Sequence, residues 1–339
     1  VKAAVIGVGP HGRRIVEVLR SFDGVELAAV VDRSRETLAA VELPPDTARY
    51  ESDAPLWARG DIPLVCVATN GDSHAELAEK AMGAATRYLF VAKPMACSVL
   101  ECDRMLAKAA ATETRIAVDH SRRYAAVYQW LRERIASGDW GQLRNIWIQR
   151  PDIGLGCNAT HSFDLVRYLA AADVTRVTAW VDAPKRTNPR GEKYVDPGGL
   201  VVLELAGEIR AVVAQIEDGA GPSSMEIDLT AARVRLDEQS GGIEVRQRDL
   251  SVKPGPGRPP VFRDGQPPAG MTAKMNQLEL IRACLEDLVS SGTMETDAAN
   301  GRASIEILVA AYLSQGRGNQ PVALPLVAPE ELELWLPIT

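Results

Sequence analysis

The stretch VIGVGPHGRRIVEVL, residues 5–19, sets Gly7, Gly9 and Gly12 in GxGxxG spacing, after an apolar run and at the mouth of an amphipathic one. Asp32 closes the next apolar run, VELAAVVD, twenty residues past Gly12. Glycine is common, so the spacing alone says little. The strand before it, the helix after it and the acid ending the second strand together define a dinucleotide-binding turn. Gly7 permits the tight turn, Gly9 lets backbone approach a pyrophosphate, and Gly12 lets helix and strand pack closely. The free N–H groups at the helix start then face the phosphates, with His11 expected in the same phosphate loop. Asp32 is expected to accept hydrogen bonds from the ribose hydroxyls. Its charge opposes a 2′-phosphate, which favours NAD; Arg33, next in sequence, keeps NADP as the alternative.

Up to about residue 121, the strand-like runs KAAVIGV, VELAAVVD, LVCVAT, YLFVA and RIAVDH alternate with stretches of helical spacing. That alternation predicts an α/β domain, a doubly wound parallel sheet of Rossmann type over residues 1–121. From residue 122 the rhythm changes. AAVYQWLRERIAS reads as a helix, LRNIWIQR as a strand and HSFDLVRYLAA as a helix. Then RVTAWVDA, GGLVVLELAG, IRAVVAQI, SMEIDLTAARVRL and GIEVRQRDL follow as strands. Strands in succession predict a mainly antiparallel sheet, so residues 122–339 form an α+β domain. The Pro- and Gly-dense segment 252–270 reads as a loop, followed by two helices within about 272–290 and 296–313.

A length of 339 residues accommodates two domains, and the net charge of −7 with scattered Lys and Arg leaves no footprint for nucleic acid or an anionic membrane. No apolar run approaches the ~20 residues of a membrane span, and the opening VKAAVIGVG carries no signal or transit pattern. Five cysteines without a CxxC pair suggest neither a disulfide framework nor a zinc site, so a cytoplasmic protein without a metal is expected.

In YLFVAKPMA, residues 88–96, an apolar run breaks on Lys93. A strand-end lysine either snorkels to water or holds its amine at the carboxyl edge of the sheet, where open α/β folds bind ligands. The longer stretch VCVATNGDSHAELAEKAMGAATRYLFVAKPMA resembles the Gfo/Idh/MocA family (glucose–fructose oxidoreductase, inositol dehydrogenase, rhizopine catabolism). Its members typically show a strand ending in Ala-Thr, a His-bearing helix and then Glu-Lys-Pro. IAVDHSRRYAAVYQWLRERIASGDWGQLRNI, GCNATHSFDLVRYL and the tail SQGRGNQPVALPL resemble the family's later segments in order.

The resemblance implies a Rossmann domain followed by a domain with a large open mixed sheet, through which family members form homodimers or homotetramers. It implies hydride transfer between NAD(P) and a hydroxyl or keto carbon of a sugar, cyclitol or sugar derivative. Lys93 then lies beside the nicotinamide and the reacting oxygen, where desolvation favours the proton-exchanging amine. His161 matches the family's catalytic histidine. Thr69, Asn70 and His74 fall on the cofactor side, with His74 structural in the other reading. Arg123, Asn158 and Asp164 join Lys93 and His161 as substrate-binding candidates. Asp164, one turn after His161, either orients the imidazole or pairs with Arg167. An anionic substrate would draw on Arg122, Arg123 and Arg150. The chain departs from the family pattern twice, with Ala92 in place of the glutamate before the lysine and Cys157 in place of an aspartate four residues before the histidine. Those losses keep two other functions in view: a cofactor-binding sensor or partner subunit without turnover, and NAD-assisted epimerisation or glycoside cleavage.

Overall fold

The computed structural model describes the chain except for residues 85, 152, 153, 218, 220, 250, 254, 258 and 339. Residues up to about 120 run β1 (Lys2–Ile6), α1 (Pro10–Arg20), β2 (Glu26–Val31), α2 (Arg35–Ala39), β3 (Ala48–Tyr50), α3 (Ala54–Trp57), β4 (Leu64–Val67), α4 (His74–Gly83), β5 (Tyr88–Val91), α5 (Val99–Thr112) and β6 (Arg115–Val118). The six strands pair in parallel in the order β3-β2-β1-β4-β5-β6. This is the doubly wound order whose ligand crevice opens where the strand sequence reverses, between β1 and β4. Both faces of the sheet are covered, which is why β4 and β5 read as unbroken apolar runs. The three-residue β3 is too short for an apolar period, and the sequence reading missed it.

The second half comprises α6 (Ala126–Ser137), β7 (Leu143–Pro151), α7 (Thr160–Ala170), β8 (Val174–Val181), β9 (Gly199–Leu205), β10 (Ile209–Ile216), β11 (Ser224–Leu229), β12 (Ala232–Asp237), β13 (Ile243–Arg248), β14 (Phe262–Gly265), α8 (Gln277–Val289), α9 (Ala298–Gly316), β15 (Val322–Ala323) and α10 (Pro329–Leu332). Its nine strands run β14-β13-β12-β11-β7-β10-β9-β8-β15, and the β7–β10 pair is parallel among otherwise antiparallel neighbours. One face packs on the helices and holds Ile146, Ile148, Val177, Ala179, Val201 and Leu203. On the other face Trp147, Trp180, Leu200 and Ile216 stand exposed.

Two expectations for this half need correction. SMEIDLTAARVRL is a hairpin, β11 and β12, rather than one strand. Its Thr230–Ala231 corner has no turn glycine but is held by N–H bonds to the Gln142 and Trp140 carbonyls, a tertiary contact that local composition does not record. The segment 252–270 is not all loop, because β14 pairs with β13 within it.

Chain order and spatial order part company at α8. Its Ile281, Cys284, Leu285 and Leu288 lie in one apolar cluster with Val5, Cys66 and Phe90 of the Rossmann sheet and Ile15 of α1. Helix α9 is buried on nearly every side, as a helix between two layers must be. At Gly301 it comes so close to the first domain that a Cβ would sit 2.6 Å from Val118 and 2.9 Å from the Met95 sulfur. Among the described residues no helix is long and apolar enough to cross a membrane.

The tightest backbone approach is in the glycine turn. A Cβ on Gly12 would lie 1.9 Å from the Gly7 carbonyl oxygen, whereas one on Gly9 meets nothing within 4 Å. Gly12→Ala is expected to destabilise the fold by ~1–3 kcal/mol and Gly9→Ala by less than ~0.5 kcal/mol. Urea unfolding of the two variants checks this, and equal midpoints would contradict the packing role of Gly12.

Candidate active site

Gly7 adopts φ +85° and donates its N–H to the Val31 carbonyl at 2.8 Å, which joins the turn to β2. Gly9 then caps α1 without a side-chain hydrogen bond, and Pro10 opens the helix. The helix start therefore keeps N–H groups and its positive dipole end for an anion. Asp32 accepts the Val8 N–H on one oxygen and the Ser34 N–H on the other, both at 2.9 Å. Each oxygen retains a lone pair for a ribose hydroxyl. Open space at Gly9, the uncapped helix start and this carboxylate suit a dinucleotide. Arg33 is exposed beside them. His11 Nε2 lies 2.9 Å from Asp119 Oδ2, just past β6.

Lys93 ends β5 at a cis peptide with Pro94. Its Nζ donates to the Cys157 carbonyl across the seam between the halves and lies 3.5 Å from the Cys157 sulfur. Cys157 belongs to a π-helical turn, Leu155–Ala159, that runs straight into α7 and carries Asn158. This turn is what brings Lys93 of the first domain and His161 of the second to one place. His74 supports the same region from behind. It is fully buried, with Nδ1 2.7 Å from the Pro94 carbonyl and Nε2 3.0 Å from the Thr69 carbonyl. A neutral ring donates to one of these carbonyls at a time, and from this fully buried place His74 shapes the Thr69 and Lys93 turns, as in the structural one of its two readings.

Sequence reasoning missed Asp196. It lies on the long segment between β8 and β9, and its two oxygens accept the Gly156 and Cys157 N–H groups at 2.6 Å each. Burial pushes its carboxyl up, against these two bonds and the charge of Lys93. The same segment reaches the first domain through Tyr194, whose hydroxyl donates to Asp72 and accepts from Asn70, each at 3.0 Å. A cavity of about 780 Å³ opens beneath it, lined in part by Cys157, Lys185, Tyr194, Asp196 and Glu217. No motif marks Asp196; the only signal was a Pro- and Gly-rich stretch between two strands.

His161 is partly buried, and its Nδ1 has no hydrogen-bond partner. Burial first, then Arg122, Lys93, His120 and Arg150, hold its pKa well below the usual imidazole value. At neutral pH the ring is therefore uncharged and keeps a lone pair for a hydroxyl proton. His120 packs edge-on against it at 5.7 Å between ring centres.

Behind these rings, Arg123 grips Asp164 with two nearly parallel bonds of 2.7 and 2.6 Å, and His120 Nδ1 lies 3.3 Å from the same carboxylate. Burial would raise the Asp164 carboxyl, but His120 and Arg123 hold it below its usual value. Arg123 and Asp164 are 5% and 1% exposed. Each is thus the other's partner rather than a substrate ligand, and Arg167 binds Asp173 and Asn300 instead. Both sequence expectations for Asp164 are corrected accordingly.

A second buried cluster was also unforeseen. Glu238, just past β12, accepts bonds from both Arg150 terminal nitrogens, one at 2.7 Å, and from the Tyr128 hydroxyl. Arg122 reaches the same carboxylate at 3.2 and 3.4 Å and touches Asn158 Oδ1 at 3.4 Å. Burial would raise Glu238, but Arg122 and Arg150 bring it down to about 2.

A six-stranded parallel sheet with a glycine phosphate turn is joined here to an open nine-stranded sheet, with a lysine and a histidine at the seam, and the first of the two has the strand order of a dinucleotide-binding Rossmann fold. Residues 1–120 match the Gfo/Idh/MocA family model, described as "Oxidoreductase family, NAD-binding Rossmann fold". Over 220 residues the chain is 29% identical to inositol 2-dehydrogenase of Gluconacetobacter diazotrophicus, covering 61% of this chain and 64% of that protein. It is also 29% identical over 274 residues to 1-carboxy-3-chloro-3,4-dihydroxycyclohexa-1,5-diene dehydrogenase of Comamonas testosteroni, covering 69% and 66%. The chain thus spans just under two thirds of each of these relatives. The WlbA dehydrogenase of Bordetella pertussis, solved with NADH and UDP-GlcNAcA, superposes with TM-score 0.77 over 96% of this chain and 99% of that one. At 19% identity this last likeness speaks for the fold alone.

Two outcomes follow from the buried carboxylates. Glu238→Gln leaves two guanidiniums without a counter-charge and is expected to destabilise the protein by ~3–5 kcal/mol in urea unfolding. Because the folded carboxyl titrates near 2 against 4.5 in an ordinary glutamate, its stabilising contribution is complete above pH 4.5 and lost as pH falls toward 2. The variant should lack that part of the acid transition. Asp196→Ala leaves the Gly156 and Cys157 N–H groups unpaired, at a cost of ~1–3 kcal/mol. Asp196→Asn, which keeps one acceptor, should recover part of it in the same titration.

Proposed function

We propose that the protein is an NAD-dependent dehydrogenase that transfers a hydride between the cofactor and a hydroxyl-bearing carbon of a sugar, a cyclitol or a derivative of either. One observation carries this reading: the Lys93 amine crosses the seam to Cys157, four residues before the uncharged His161 on the same turn and helix. The relatives add support, since an inositol and a dihydroxycyclohexadiene are both rings with neighbouring hydroxyls. NAD rather than NADP is favoured by the Asp32 carboxylate at the ribose end of the turn.

Bound NAD would supply the hydride acceptor or donor. The glycine turn and the start of α1 would hold its phosphates, and Asp32 its ribose. Lys93 exchanges a proton with the substrate oxygen as the carbon centre changes oxidation state. His161, held neutral by its surroundings, accepts or donates a hydrogen bond at a neighbouring hydroxyl and fixes which carbon faces the cofactor. Asn158 offers its amide beside them. A second copy of the chain is the occupant we propose for the open sheet face, where Trp147, Trp180, Leu200 and Ile216 are exposed.

Lys93→Met should lower kcat by ~10²–10⁴-fold, the usual loss for a general acid–base group. His161→Asn should also cut turnover, and both variants should bind NAD as the unaltered protein does. Stopped-flow absorbance of NADH on a cyclitol and sugar panel, with calorimetry of NAD binding, provides the measurement. Near-full turnover by Lys93→Met would make the lysine a bystander, and product formed without NADH accumulation would point to redox-neutral chemistry.

A further inference from the structure

The charges gathered at the seam do not balance. Lys93, Arg122 and Arg150 bring three cations there, while Glu238 and Asp196 bring two carboxylates. Glu238 is committed to Arg150 in a two-bonded pair reinforced by Tyr128, which leaves Arg122 with only its edge. Beyond that edge Arg122 meets a neutral acceptor, Asn158 Oδ1, and among the described residues Lys93 likewise bonds the Cys157 carbonyl and sulfur. Asp196 has both oxygens engaged by backbone N–H groups. The remaining buried pair nearby, Arg123 with Asp164, cancels itself, and Asp119 faces His11 on the cofactor side. Oxidised nicotinamide adds positive charge.

Burial and Arg150 hold the Arg122 guanidinium below its ordinary value despite Glu238, so its charge is under-compensated where it lies. Polar groups beside it also lack partners. Among the described residues His161 Nδ1 has none, and neither amide atom of Gln215 has one. Gln215 is 0% exposed and sits opposite Arg150 in the β7–β10 register. A partly buried cation that shares its one carboxylate with a second guanidinium, and meets a neutral acceptor on its other side, is stabilised by an incoming anion.

We propose that the substrate carries a carboxylate next to its hydroxyls, seated on Arg122 beside Asn158, so that the enzyme acts on a sugar acid or a hydroxylated ring acid. Lys93, Arg122 and Arg150 against Glu238 and Asp196 leave a surplus of one charge among the side chains, which a carboxylate matches. The planar guanidinium fork also fits the two carboxylate oxygens. An acid held there would turn its hydroxyl-bearing carbon toward Lys93 and His161. The substrate assignment rests on the dehydrogenase reading, but the carboxylate subsite can be read without turnover.

The test is calorimetry on the NAD-loaded protein with matched probes: glucuronate, glucose and glucose 6-phosphate, the galacto set, and quinate against myo-inositol. At least one acid should bind about tenfold or more tightly than its neutral counterpart and than the phosphate, the size of effect a charge-assisted pair gives. Arg122→Gln should erase that ratio while leaving the weaker affinity for the neutral probe within a few-fold, and Arg122→Lys should keep part of it. Absence of any acid preference, a preference for the phosphate, or an unchanged ratio in a folded Arg122→Gln would overturn the proposal. If Arg122→Gln does not fold by circular dichroism, the ratios for the unaltered protein decide. An acid that binds with this preference yet yields no NADH would sink the dehydrogenase reading and leave the subsite standing.

Discussion

Two neighbouring N–H groups, those of Gly156 and Cys157, converge on the Asp196 carboxylate, and most of the candidate chemistry is positioned by that contact. The π-helical turn it pins both touches Lys93 and runs into α7. Left unpinned, Cys157 would have no fixed carbonyl to offer the lysine, and His161 would lose the start of its helix. The turn is constrained from other sides as well. Gly156 lies so close to Ile338 that a Cβ would meet it at 2.6 Å. The backbone of the Asp196 segment is tied to the C-terminal tail by the Val195 N–H bond to the Pro337 carbonyl at 2.7 Å. Tyr194 carries the same segment across to Asn70 and Asp72 on the first domain. A position determined from several directions holds its geometry better than one held by a single bond.

This arrangement bears on the two acids absent from the family pattern. Ala92 and Cys157 carry no charge, yet a carboxylate is present at the lysine all the same, supplied by Asp196 from a different segment. Its charge acts on Lys93 through space, since its oxygens are engaged by backbone. The counter-charge is thus moved to another segment rather than removed.

The first domain was legible in sequence because its signals are local. The glycine spacing, the acid at Asp32 and the unbroken apolar strands each arise within a few residues, and the sheet order follows from them. Lys93 and His161 were legible through short motifs on single elements. Asp196, Glu238 and Tyr194 were not, because each stands in a connection between strands and acquires its role only from what folding brings opposite it. The same holds for Asp164. Its helical spacing suggested Arg167, three residues on, but the partner that won was Arg123, from the turn before α6. A buried bidentate pair outweighs a solvated one along a helix, whose worth is only ~0.3–0.5 kcal/mol.

Chain order also hid how the two halves depend on each other. The Rossmann sheet ends in sequence near residue 118, yet one of its faces is closed by Ile281, Cys284, Leu285 and Leu288 of α8. Helix α9 presses Gly301 against Val118 and Met95, and the Val118 N–H bonds the Thr296 carbonyl just before it. The Leu336 N–H bonds the Cys97 carbonyl, three residues past Pro94. The C-terminal fifth of the chain therefore returns to brace the strand ends that carry Asp119 and Lys93. A site assembled from both halves needs its two contributors held in register to within a fraction of an ångström. Interleaving the chain achieves that without a large interface of its own, because the same helices that complete the first core also fix the second sheet against it.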